Sequence, residues 1–101
     1  MTESTAVLAV TATPNPDEME AMQTYLSRVG PILTDHGGQA LYRGRSIAAV
    51  VGDLSFGMLL VMKFESVQAI QGLFASPEYQ ELIPFREKGF KKFDAVISSA
   101  S

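Results

Sequence analysis

The chain's 101 residues, 47% of them hydrophobic and 19% charged, suit one globular domain over residues 1–101 and exclude a low-complexity or disordered chain. A formal net charge of −3 argues against general nucleic-acid binding, which needs a broad basic field. No cysteine is present, so there is no disulfide framework, thiol nucleophile or thiolate metal site, and no stretch approaches the roughly 20 apolar residues of a membrane helix.

Ala6 to Thr13, rich in β-branched and small apolar residues and stopped by Pro14, predicts a first strand. Asn15-Pro16-Asp17-Glu18 predicts a helix start, with Asn15 as cap, Pro16 in the first turn and Glu18 completing a capping box. Met19, Met22, Leu26, Val29, Leu33 and His36 then form one apolar stripe at helical spacing. Gly30-Pro31 predicts a bend or break in that helix, and Gly37-Gly38 its end. Gln39 to Arg43 reads as a second strand that resumes from Ile47 to Val51, before a turn at Gly52-Asp53. Phe56 to Glu65 reads as a strand that is apolar on both faces: Phe56, Met58, Leu60, Met62 and Phe64 on one, Leu59 and Val61 on the other. Ser66 caps a second helix to about Ala75, and Ser76-Pro77-Glu78 opens a third piece bearing Tyr79, Leu82, Ile83 and Arg86, kinked at Pro84. Gly89 ends it, and Phe93 to Ser98 supplies the last strand.

This βαββαβ order is that of an α+β, ferredoxin-like fold: a four-stranded antiparallel sheet with helices on one face. The other face would then be bare. Because Phe56 to Glu65 is apolar on that side too, a homodimer formed through the sheet faces is expected. No basic residue precedes the short apolar run near the start, so no secretory signal is expected and the cytoplasm is the expected location.

Three segments together resemble the DUF1330 family, within the dimeric α/β-barrel superfamily. They are His36-Gly37-Gly38 followed by Arg43-Gly44, the Phe64-Glu65-Ser66 junction, and Ser76-Pro77-Glu78-Tyr79-Gln80 with Arg86 beyond it. The resemblance implies a ferredoxin-like subunit, a homodimer through the sheets and a pocket between sheet and helices. It implies no reaction. Lys63 stands where the family often has an acid, Val51-Gly52 where it often has Glu-Gly, and its usual arginine is missing near Phe56-Gly57-Met58.

Four residues are candidate site groups: His36, Arg43, Tyr79 and Arg86. His36, the only histidine, is the candidate base or ligand contact at a pocket mouth; equally, it suits the last carbonyls and the dipole of its helix. Arg43 and Arg86 can grip a carboxylate or phosphate, with Tyr79 adding a hydrogen bond; the competing expectation is an internal ion pair with Glu65 or Glu78. Met19, Met22, Met58 and Met62 suit a core or an adaptable pocket wall. The basic run of Arg86, Lys88, Lys91 and Lys92 reads as a solvated helix end. With one histidine and no metal-site or phosphate-loop spacing, neither metal nor cofactor is expected. Two classes of function remain: a homodimer that binds a small molecule through these four residues, or a cofactor-free enzyme, monooxygenase- or isomerase-like, with His36 as base and an arginine stabilising an oxyanion. A non-catalytic interaction protein is the third expectation. Neither nucleic acid nor membrane is expected as a partner.

Overall fold

In a computed structural model that describes residues 5–99, the chain runs β1 (Ala6–Pro14), α1 (Met19–Asp35), β2 (Gln39–Arg45), β3 (Met58–Phe64), α2 (Val67–Ala75), α3 (Pro77–Gln80), α4 (Ile83–Gly89) and β4 (Phe90–Ser99). The strands form one antiparallel sheet in the order β2-β3-β1-β4. The register stacks Met62–Leu8–Ile97 and Met58–Ala12–Phe93 on one face. That face carries the core: Ala6, Leu8, Met62 and Phe64 of the strands meet Ile70, Leu73, Tyr79 and Leu82 of the helices. The opposite face stacks Tyr42–Val61–Ala9–Val96 in one row, with Val7 and Leu59 beside it.

The local start signals after residue 60 behave as their chemistry dictates. Ser66 Oγ accepts the Ala69 amide (3.1 Å), and Ser76 Oγ accepts the Tyr79 amide (3.3 Å) while donating to the Leu73 carbonyl (2.7 Å). The predicted Asn15 cap is corrected. Asn15 Oδ1 accepts the Asp17 amide at 3.0 Å in a tight turn, so its acceptor is spent before the helix begins. Glu18 is the cap residue, without a side-chain capping bond, and is paired with Lys88 (3.6 Å) instead.

The helix also does not break at Pro31: α1 continues from Met19 to Asp35. The residue before a proline is pushed out of the α region partly by its own Cβ, and Gly30 has none. The buried stripe is rotated from the expected one. Ala21, Met22, Tyr25 and Val29 are buried, whereas Met19 and Leu26 are 45% and 38% exposed. Pro84 does not kink a continuous helix but sits in the first turn of α4, after a two-residue step from α3.

Residues 46–57 form no strand. Ile47, Val50 and Val51, expected to resume β2, lie in an irregular connection at 97%, 98% and 90% exposure, and β3 begins at Met58 rather than Phe56.

Two glycines fix where α1 lies. A Cβ on Gly89 would stand 2.6 Å from Met22 N and 2.7 Å from Met22 Cα, so the α4–β4 junction touches the α1 backbone. A Cβ on Gly38 would stand 2.7 Å from the Phe64 ring and 2.9 Å from the Leu33 carbonyl oxygen. The helix is thus held at both ends. It packs mainly against α4, and its middle arches over the sheet.

Candidate functional site

The space under that arch is a cavity of about 320 Å³. Val10, Ala12, Met58 and Leu60 form its floor on the helix-facing side of the sheet; Tyr25, Val29 and Leu33 form the roof. Leu26 of α1 and Arg43 of β2, both exposed, stand at its rim. Almost every wall atom is apolar because strand positions two apart share a face and α1 contributes its buried stripe. Among the described residues the wall carries no carboxylate and no imidazole.

Its polar point is a pair of buried tyrosines. Tyr25 and Tyr79, 4% and 1% exposed, bring their hydroxyl oxygens to 2.9 Å. Arg86 Nη1 donates to Tyr79 Oη, also at 2.9 Å. The rings hold this geometry: Tyr25 meets Tyr79, Phe90 and Phe93 edge-on, with centroids 6.2, 5.7 and 5.7 Å away. The Arg86 guanidinium lies 5.5 Å from the centre of the Phe93 ring and 5.8 Å from that of Tyr79. Burial, and then the hydrogen bond to Tyr79, pushes the Tyr25 hydroxyl well above its usual range, so it stays neutral; the Arg86 charge acts in the opposite sense.

A second cavity, of about 300 Å³, shares the Leu8, Phe74 and Phe93 walls and is lined by Arg86, Ala95 and Ile97 on the β4 side. Arg86 is half-buried beside this second space, and its side-chain partner is Tyr79, neither Glu65 nor Glu78.

The four candidate residues therefore separate. Tyr79 and Arg86 are bonded although they lie on different helices, and Arg43 shares the first cavity with Tyr79. His36 lines neither cavity. It ends α1, where its backbone N–H (3.2 Å) and its Nδ1 (3.0 Å) both donate to the Ile32 carbonyl, and Gly37, at φ +88°, then turns the chain away. Of the methionines, Met58 lines the cavity, Met22 and Met62 are core, and Met19 is largely exposed. In the basic run, Arg86 points to Tyr79 and Lys88 to Glu18, while Lys91 and Lys92 are exposed on β4 rather than at a helix end.

Tyr25 was not among the sequence candidates. Its signal was available: it stands between Met22 and Val29 at helical spacing, and a tyrosine on a buried stripe needs a partner for its hydroxyl. The partner is 54 residues away, which no local pattern discloses.

No described helix is long and apolar enough to cross a membrane. None of the curated proteins matches the sequence. Several solved structures match the fold. A protein of unknown function from Rhodopseudomonas palustris superposes with a TM-score of 0.82 at 18% identity, covering 99% of this chain and 85% of that one. A dimeric ferredoxin-like protein of unknown function from Thermobifida fusca matches at 0.62 and 13% identity, covering 99% and 94%. The hydroxynitrile lyase of Passiflora edulis matches at 0.74 and 13% identity, covering 99% and 96%. At these identities the likeness shows the fold alone, and that fold is ferredoxin-like. The family model described as "Domain of unknown function (DUF1330)" matches residues 6–100, and the chain belongs to that family.

Proposed function

We propose that this protein is a single-domain homodimer that binds a small, largely apolar molecule in the cavity between α1 and the sheet, with Tyr25, Tyr79 and Arg43 as its polar contacts and Arg86 bonded to Tyr79 behind them. The observation that carries the reading is the cavity itself. Its volume of about 320 Å³ falls at the lower end of the range for small-molecule sites, roughly 300–1,000 Å³, and its apolar wall has one concentrated polar point. What supports the homodimer is the sheet's outer face, where Val7, Ala9, Leu59, Val61 and Val96 make an apolar surface that no described element covers. The dimeric Thermobifida fusca protein shares the fold, which agrees with self-association.

Binding is preferred to the cofactor-free enzyme because the wall, among the described residues, offers hydrogen-bond donors and no group poised to take a proton. A purely interaction-based role would leave a cavity of this size without a purpose.

The test is a titration with ethylnaphthalene, followed by its fluorescence, on the wild type and on Val10→Phe. Val10 is in the cavity floor, on the central strand β1, so a ring there fills ligand space. Saturable binding that weakens about tenfold or more in Val10→Phe is expected, as a few lost apolar contacts are worth ~1.4 kcal/mol. Binding indifferent to Val10→Phe would place the probe elsewhere and overturn the reading. For the dimer, sedimentation equilibrium at micromolar concentration is decisive, and a monomer there refutes it.

A further inference from the structure

The hydrogen-bond count at the tyrosine pair leaves one proton over. Two hydroxyls bring two protons, and the single Tyr25–Tyr79 bond uses one of them. Tyr79 Oη also accepts from Arg86, which consumes an acceptor and supplies none. Neither hydroxyl has a further acceptor among the described residues, whichever of the two donates to the other. The Arg86 guanidinium, donating to Tyr79 Oη, polarises the pair and strengthens it as a donor. The surplus proton belongs to the pair, and both residues are buried in the wall of the cavity. A buried donor left without an acceptor is costly, and the cost is removed by anything that brings an acceptor oxygen to it.

From this we infer that the ligand class is an apolar molecule carrying a carbonyl oxygen, and that the free hydroxyl proton of the Tyr25–Tyr79 pair goes to that oxygen while the hydrocarbon body fills the space between Val10, Val29, Leu33 and Leu60. The inference rests on the binding reading above and deepens it. Arg86 acts through Tyr79 as a positioning residue: its charge polarises the two hydroxyls and strengthens the free donor. The site as built selects acceptors. A ligand offering only a donor at that point, such as an amine presenting N–H, would face that proton head-on and be rejected.

The experiment compares methyl naphthyl ketone with ethylnaphthalene, molecules of nearly the same shape that differ by the oxygen. Both are titrated into the wild type and into the double variant Tyr25→Phe with Tyr79→Phe, which keeps both rings and their edge-on contacts. The ratio of ketone affinity to hydrocarbon affinity is expected to fall about tenfold in the double variant, the worth of a charge-supported hydrogen bond. A ratio that stays within about twofold overturns the inference and leaves the cavity reading intact. If neither probe binds the wild type, the cavity reading fails and the inference falls with it. A second measurement needs no variant. The carbonyl stretch of the ketone bound to wild-type protein should lie at lower frequency than in hexane, as hydrogen bonding weakens the C=O bond. A hexane-like frequency for the bound ketone overturns the inference even if the double variant cannot be folded.

Discussion

Replacing Gly89 by alanine tests how closely α1 is held to the α4–β4 junction. The added methyl would stand 2.6 Å from Met22 N, 2.7 Å from Met22 Cα and 3.0 Å from the Ala21 carbonyl carbon. Ordinary contacts between such atoms begin near 3.5 Å, so the backbone of α1 has to retreat by about 1 Å, and no flexible side chain can absorb the displacement. Overpacking of this kind typically costs ~1–3 kcal/mol, and here it falls on buried backbone at one of the helix's two anchor points. Against it stands the usual gain for removing a helical glycine, at most ~1 kcal/mol and smaller at the last residue of a helix. The net expectation is a loss of about 2 kcal/mol, or roughly 8–16 °C in Tm for a domain of this size. Gly72→Ala is the matched control. It lies inside α2, exposed, and a Cβ there meets nothing within 4 Å, so the same chemical change should raise stability by ~0.5–1 kcal/mol. Urea unfolding of both variants, monitored by circular dichroism, gives the two signs directly. If Gly89→Ala stabilises as Gly72→Ala does, the tight approach of α1 is wrong, and with it the explanation of why the cavity exists.

Alkali should expose the buried tyrosine. The Tyr25 hydroxyl has a raised folded pKa, whereas in the unfolded chain it titrates near its ordinary value of 10.0. Above that value the unfolded chain releases a proton that the folded one keeps. Its contribution is therefore complete below pH ~10 and lost as pH rises further, by up to ~1.4 kcal/mol per pH unit. Between about pH 9 and pH 11 the wild type should lose ~1 kcal/mol more than Tyr25→Phe does, read from urea midpoints; equal losses would refute the assignment. Val61→Lys places a charge in the middle row of the sheet's outer face and should convert a dimer to monomer in sedimentation experiments without lowering the subunit's helix content. Ser66→Ala removes the α2 cap and should cost about 1 kcal/mol in denaturant unfolding.

Much of the fold was legible because its signals are local. Ser66, Ser76-Pro77 and Gly37 act through partners within four residues, and the alternation in β3 follows from strand geometry alone. Errors arose where a local signal met a competitor. Asn15 had two acceptable amides to serve and took the nearer; Pro31 was expected to bend or break the helix, and Gly30 lets it join one that runs on unbroken. The hydrophobic residues 47–51 looked like strand because their composition is strand-like, yet β3 offers its pairing partners only from Met58 onward. Half of the site was legible as residue types: Tyr79 and Arg86 were paired from their spacing, although the contact crosses from α3 to α4. Tyr25 and the two anchoring glycines were not, since each depends on an approach between segments distant in sequence. For Gly89, nothing in its neighbours says that a helix backbone lies against it.

The anchoring of α1 at Gly38 and Gly89 separates two properties that most cores tie together. In an ordinary helix-on-sheet interface the side chains beneath the helix also set its height, so resizing one of them moves the backbone. Here the height is set at the ends, and the side chains that enclose the space between, Val10, Leu33, Met58 and Leu60, are only partly buried. Their volumes can change while the scaffold stays put. A chain with this frame could be refitted for ligands of different length or girth by altering four or five interior side chains, with the tyrosine pair kept as a fixed point against which each new shape is aligned.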